Sequence, residues 1–254
     1  MKNKIYLVVT ARMGSSRFPG KPLANILERP MLAWVLDACK GSQLASEVIL
    51  ATPDDEIFEW GKKSGYIVSR TAISHERATD RMAEVATQYP GEDQDIFVLV
   101  QGDEPTILPE DIDTAITKLI NTSDCVCVNL VSAIRLEEEK NNVNCVKAIC
   151  NPESSDSIFW LSRLGVPYSQ TADYDSDVIG YKQVCIIPFR RTNLTSFCNS
   201  APSLYEKVEA IDMLRILESG GRISCSEITT HTHPVDVPSD IEIVEKILKG
   251  RLDV

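Results

Sequence analysis

Apolar and polar positions change period repeatedly along the first half of this chain. Residues 5–9, 47–52 and 95–100 are short, largely aliphatic runs. Such runs mark strands buried on both faces of a parallel sheet. Between them the apolar residues recur at helical spacing over 30–39, 54–60 and 79–89, with Met82, Val85 and Ala86 on one face of the last. Pro30 suits a helix start, and Asp54-Asp55-Glu56 opens the next helix. A short strand is expected at 66–68 and a helix at 109–120. This β-α-β-α order predicts an α/β protein with a mainly parallel sheet and helices on both faces.

The second half is more mixed. Strands are expected at 124–130, 145–150, 158–161 and 184–188, and helices at 205–218 and 238–249. The segment 170–179 carries Asp173, Asp175 and Asp177 and reads as a surface loop. No linker, repeat or low-complexity tract interrupts the pattern, so one domain over 1–254 is expected.

Composition narrows the function classes. The net charge of −11 argues against nucleic-acid binding, which requires a basic face. The eight cysteines form no CxxC pair and sit mostly in apolar runs such as Val184-Cys185-Ile186-Ile187, where a thiol acts as a small core residue. The chain enters its first strand directly after Met1-Lys2-Asn3-Lys4, and no apolar stretch approaches the ~18 residues of a membrane span. A cytoplasmic protein with no membrane partner is expected.

Candidate chemistry gathers at two strand ends. The first strand runs into Thr10-Ala11-Arg12-Met13-Gly14-Ser15-Ser16-Arg17-Phe18-Pro19-Gly20-Lys21-Pro22-Leu23. Gly14, Ser15 and Ser16 let backbone N–H groups approach phosphate oxygens, and Arg12, Arg17 and Lys21 supply charge. The spacing is not that of a Walker A loop, since five residues separate Gly14 from Gly20 and Pro22 stands in place of Ser/Thr. The plain alternative is a solvated basic loop. The other strand ends in Gln101-Gly102-Asp103-Glu104-Pro105, which places carboxylates where α/β sheets bind ligands. Asp103 and the adjacent Glu104 offer a candidate Mg²⁺ ligand, and Asp236 is the candidate partner. Helix capping is the structural alternative for both, Asp236 preceding Pro238. His231 and His233 are expected at the surface, and His75 has no evident nucleophile to serve.

These motifs, taken in order, resemble the CMP-Kdo synthetase family (3-deoxy-manno-octulosonate cytidylyltransferases). The resemblance rests on the loop from Ala11-Arg12 to Lys21-Pro22-Leu23, Ala51-Thr52, Thr79-Asp80-Arg81 and Gln101-Gly102-Asp103-Glu104-Pro105. It continues through Asn144, Val146-Lys147, Ser162-Arg163, Val166-Pro167 and Val235-Asp236-Val237-Pro238-Ser239-Asp240. It implies a three-layer α/β sandwich of the nucleotide-diphosphosugar transferase fold, with a nucleotide-binding half at about 1–130 and a sugar-binding and dimerisation half at about 131–254. It implies an enzyme that couples CTP to a 2-keto-3-deoxy sugar acid with release of pyrophosphate, for surface polysaccharide synthesis, and that acts as a homodimer. Arg12, Lys21, Asp103 and Asp236 would be catalytic, with Asp103 and Asp236 holding Mg²⁺. Ala11, Arg12, Gly14, Ser15, Lys21, Arg81 and Gln101 would bind nucleotide. Arg163, Gln183, Lys207 and Glu209 would bind the sugar.

The chain also departs from that family's pattern. Thr10 stands where the family has Pro, and Arg77-Ala78 where it has Ser-Gly. On the sugar side Lys182-Gln183 replaces Arg-His, Ile187 replaces Tyr, and Lys207 replaces Gln. Two other readings therefore stand beside the first. One is a nucleotidyltransferase for another acidic sugar, such as a nonulosonic acid, or for another base. The other is an inactive relative that binds nucleotide-sugars, against which the presence of Lys21, Asp103 and Asp236 argues.

Overall fold

The computed structural model describes residues 3–151, 155–168 and 178–252. Met1, Lys2 and residues 170–177 of the expected polar loop lie outside the described residues. The first half runs β1 (Ile5–Thr10), a 3-10 turn (Lys21–Leu23), a small hairpin of β2 (Asn25–Ile26) and β3 (Arg29–Pro30), and α1 (Met31–Gly41). It continues with β4 (Glu47–Thr52), α2 (Asp55–Lys63), β5 (Ile67–Arg70), α3 (Ala78–Gln88), β6 (Ile96–Gln101) and α4 (Pro109–Asn121). Then follow β7 (Cys127–Ile134), α5 (Glu137–Asn141), β8 (Lys147–Asn151), β9 (Ser155–Ser162), β10 (Gly180–Val184) and β11 (Ile186–Arg190). The chain closes with α6 (Arg191–Asn199), α7 (Leu204–Glu209), α8 (Leu214–Glu218), β12 (Ile223–Ile228) and α9 (Asp240–Leu252).

One ten-stranded sheet runs through both halves in the order β10-β8-β9-β12-β7-β11-β6-β1-β4-β5. The expected parallel pairing covers β6-β1-β4-β5 and also β7 with β12. The remaining ladders of this sheet are antiparallel. Helical crossovers return the chain in the same direction in the first half, whereas the second half joins β8 to β9 without a crossover helix. β10 also pairs with β7, so β7, β12, β9, β8 and β10 close into a ring of pairings.

The strands are buried on both faces, which makes three layers. Leu7, Val9, Val98 and Val100 pack with Leu32, Val35, Ile112 and Ile116 on one side. Tyr6, Val8, Phe97 and Leu99 pack with Met82, Val85, Leu194 and Phe197 on the other. A separate cluster of Ile26, Met31, Val235, Val244 and Leu248 fastens α9 to the β2–β3 hairpin.

Three departures from the sequence reading bear on function. The strand expected at 184–188 is two strands, β10 and β11, broken at Cys185. The helix expected at 205–218 is divided into α7 and α8 because Ala210 adopts a left-handed conformation with φ 54°. The last helix begins at Asp240, two residues beyond the expected Pro238. β12 escaped notice because its sequence, ISCSEI, alternates with small polar residues.

Candidate active site

Two pockets adjoin at the carboxyl ends of β1 and β6. The smaller is about 340 Å³ and the larger about 540 Å³. Arg17, Gln101 and Asp103 line both.

The smaller pocket is built from the loop after β1 and the start of α3. Ala11, Arg12, Gly14, Ser15, Lys21, Arg81 and Gln101 all line it. The loop is held from within: the Met13 N–H donates to Asp54 at 2.9 Å and the Ala11 N–H to the Ala51 carbonyl at 3.1 Å. Gly102 makes the convergence of β1 and β6 possible, because a Cβ there would lie 2.8 Å from the Thr10 carbonyl oxygen. Arg81 is buried and donates to the carbonyls of Ala72 and His75, each at 3.2 Å, and to the Thr71 hydroxyl. Burial and the nearby Arg12 guanidinium lower its pKa.

Between the pockets lies a chain of charges. Lys21 is buried, and its Nζ donates to Asp103 Oδ2 and to the Val235 carbonyl, each at 2.7 Å. The Val235 N–H in turn donates to the Asp103 carbonyl at 2.9 Å. Arg17 donates to Asp236 at 2.8 Å and also to the Asn144 side chain. Burial raises the Asp236 pKa, the Asp103 charge raises it further, and Arg17 and Lys21 oppose both. The capping alternative for Asp236 is taken up by Asp240, whose carboxylate accepts from the N–H groups of Asp236 and Val237 at 2.7 and 2.9 Å. The Asp236 side chain is thereby left to the site.

Among the described residues no group of three or more His, Cys, Asp and Glu gathers as a metal cage. Asp103 and Asp236 nevertheless form a mutually repelling carboxylate pair lining the larger pocket. Mg²⁺ characteristically takes one or two carboxylates and completes its shell with substrate phosphates and water, so this donor set fits it.

The larger pocket draws on β6, α5, β10, β11, the α7–α8 junction and the segment before α9. Arg163 and Gln183, two of the four candidates for the sugar side, line it. The Gln183 amide donates to Asn129 at 2.5 Å, which fixes its orientation. The Arg163 guanidinium is taken up by backbone carbonyls, with Nε on Glu209 at 2.6 Å and terminal nitrogens on Val143 and Ala210 at 3.0 and 3.3 Å. Lys207 and Glu209 line neither pocket. The break at Ala210 turns α7 so that Lys207 is exposed, while the Glu209 carboxylate accepts from the Ser162 hydroxyl and the Arg163 N–H at 2.9 and 2.7 Å. Glu209 thus acts on Arg163 within the pocket wall.

Several further residues line the larger pocket without a role assigned by the resemblance. Lys182 is buried, donates to the Thr232 carbonyl at 3.0 Å and pairs with Glu139. The sequence signal for Lys182 is the inward alternation of GYKQV, in which Gly180, Lys182 and Val184 are buried. Glu104 is buried with its Oε2 unpartnered. Burial and the neighbouring Asp103 push its carboxyl up to about 8, against Lys182 and the Cys185 N–H. His231 and His233 line the larger pocket, His231 from an exposed position. His75 is paired with Glu84 at 2.6 Å, away from both pockets.

A family model described as cytidylyltransferase matches residues 6–226. The chain belongs to the cytidylyltransferase family. A 3-deoxy-manno-octulosonate cytidylyltransferase of Geobacter metallireducens is 37% identical over 98% of this chain and 100% of its own. One of the same name from Syntrophus aciditrophicus is 34% identical, covering 98% of each chain. A solved CMP:2-keto-3-deoxy-manno-octonic acid synthetase in complex with CTP superposes with a TM-score of 0.86 at 30% identity, over 98% of this chain and 100% of that one. A 4-diphosphocytidyl-2C-methyl-D-erythritol synthase, at 12% identity and a TM-score of 0.66, shares the fold of this cytidylyltransferase. No helix among the described residues is long and apolar enough to cross a membrane.

Proposed function

We propose that this cytidylyltransferase couples CTP to a 2-keto-3-deoxy sugar acid of the Kdo type, releasing pyrophosphate. The observation that carries the reading is the pair of adjoining pockets meeting at Arg17, Gln101 and Asp103. One is basic and of nucleotide character; the other is larger and mixed polar and apolar.

In this reading the triphosphate lies along the loop after β1. Arg12 and Lys21 receive the charge that grows on the departing pyrophosphate, the condition for an interaction to favour the transition state over the ground state. Gln101 offers both an amide donor and a carbonyl acceptor to the cytosine edge. The anomeric hydroxyl of the sugar acid attacks the α-phosphorus in line from the side of the larger pocket. Asp103 and Asp236 would hold Mg²⁺, which offsets phosphate charge and acidifies the attacking hydroxyl when bound. Arg17, paired with Asp236 and lining both pockets, neutralises part of the charge where the two substrates meet. A homodimer belongs to the same reading and is open to sedimentation analysis.

A related acid in place of plain Kdo is favoured by one observation. Ile187, where the family has Tyr, lines the larger pocket beside Leu99, Ile211 and Met213 and gives it an apolar floor. Pyrophosphate release from each of the four NTPs, with a panel of octulosonic and nonulosonic acids, tests the whole reading. CTP with a 2-keto-3-deoxy acid is expected to give the highest kcat/KM. Equal rates with CTP and UTP would overturn the base assignment.

A further inference from the structure

A carboxylate of the larger pocket is held by a residue that lines the smaller one. Asp212 lies in the turn between α7 and α8 and lines the larger pocket. The Thr79 hydroxyl, at the start of α3, donates to Asp212 Oδ2 at 2.8 Å. Arg77, one residue before α3, places its Nε 3.7 Å from Asp212 Oδ1. Arg77 itself lines the smaller pocket, together with Glu76 and Ala78. One end of α3 therefore touches the nucleotide pocket and the wall of the other pocket at once.

The turn that carries Asp212 is held from two sides only a few residues apart. Arg163 clamps the carbonyls of Glu209 and Ala210 at 2.6 and 3.3 Å, and Ala210 takes the left-handed conformation that reverses the chain. Thr79 and Arg77 hold Asp212 from the opposite side. Apart from these groups the carboxylate meets repulsion from Asp80 and Glu206, and burial raises its pKa. Its place thus depends on the N-terminal end of α3.

We propose that Asp212 is a positioning residue that couples nucleotide binding to the sugar pocket, with Arg77 as the connecting side chain. A guanidinium is a fork of five donors. With Nε directed at Asp212, its terminal nitrogens can meet an anionic or carbonyl group of the nucleotide. Nucleotide binding then orders Arg77, Arg77 orders Asp212, and Asp212 orders the turn at 210–213 against which the sugar acid lies. Arg77 is also the residue at which the chain leaves the Ser-Gly pattern, so the coupling is a property of this chain's own substitution. The inference rests on the nucleotide occupying the smaller pocket.

Backbone hydrogen exchange, followed with and without CTP and Mg²⁺, separates the two ideas. In the wild type, CTP is expected to slow exchange in peptides covering 10–22 and, about fivefold, in a peptide covering 207–218, the lower end of ordinary coupling strengths. Arg77→Ser and Asp212→Asn should keep the first effect and lose most of the second, and Arg77→Lys should restore part of it. In turnover both variants should raise the KM for the sugar acid. Asp212→Asn should leave CTP affinity measured without sugar acid within about twofold, whereas Arg77→Ser, which also loses its own contact with the nucleotide, should weaken it. Protection at 207–218 that survives in Arg77→Ser, or that is missing from the wild type while 10–22 is protected, would overturn the coupling. Missing protection at both segments would overturn the placement of the nucleotide, and the coupling with it.

Discussion

The smaller pocket and the larger one are made in different ways. The smaller takes its walls from three stretches, 10–31, 76–81 and 101–103, each at or just beyond an end of an element in the regular β-α-β half. The larger collects side chains from segments scattered between Arg17 and Ile243, on antiparallel strands, a broken helix and the approach to α9. In the first, a loop motif carries most of the chemistry and the strand end fixes its place. In the second, no short motif exists, and a residue's role depends on how distant segments fold against it. The difference shows that candidates drawn from short motifs are gathered into one pocket more faithfully than candidates drawn from scattered positions.

The largest effect should come from the carboxylates at the junction, Asp103, which lines both pockets, and Asp236, which lines the larger. Asp103→Asn and Asp236→Asn should each lower turnover by ~10² or more, the scale of losing a principal electrostatic stabiliser. Their folds should survive, since neither side chain belongs to the apolar core, and circular dichroism checks this. Near-normal turnover in either variant at saturating CTP and Mg²⁺ would dissolve the shared junction.

Lys21→Ala should come next, at ~10–100-fold in kcat/KM, since it removes a cation and leaves Asp103 without its partner. CMP affinity should change far less than CTP affinity. A parallel loss of both would place Lys21 away from the distal phosphates.

The larger pocket is probed by a paired substitution. Ile187→Tyr should change the preference between sugar acids by ~10-fold, because a hydroxyl gained or lost in a buried site is worth about 1–3 kcal/mol. Lys207→Gln should leave that preference within about twofold, because Lys207 is exposed and lines neither pocket. Competition between Kdo and other acids, read as kcat/KM ratios, decides both. If Lys207→Gln proved the stronger, the sugar would lie elsewhere.

The smallest effect is on stability. The folded Glu104 carboxyl holds its proton up to about 8, whereas the unfolded chain releases it in the ordinary carboxylate range. Across that window the folded state binds more protons than the unfolded state, so stability falls as pH rises. Raised Asp236 adds a slope of the same sign. Glu104→Gln should flatten the decline of Tm between pH 5 and 8 in metal-free buffer, raising Tm at pH 8 by about 2–4 °C, the response of a chain of this size to ~1 kcal/mol. An unchanged slope would mean that Glu104 is ionised in the fold.

The first half of the fold and the loop after β1 are legible in the local sequence. Buried parallel strands must be continuous apolar runs, and the helices between them must show one apolar face, so β1, β4, β6 and α1 to α4 are written locally. The residue types of 10–23 and 101–105 carry their chemistry in the motif, and all seven nucleotide candidates came to line one pocket. Tertiary structure alone decided the rest. That Lys21 is shared between Asp103 and the Val235 carbonyl requires two loops more than 200 residues apart in sequence to meet, as the 214-residue separation of Lys21 and Val235 shows. That Asp240, and not Asp236, caps the approach to α9 depends on which carboxylate reaches the free N–H groups. That Lys207 faces solvent and lines neither pocket, while Lys182 is buried against Glu139 and the Thr232 carbonyl, depends on groups brought together from distant parts of the chain.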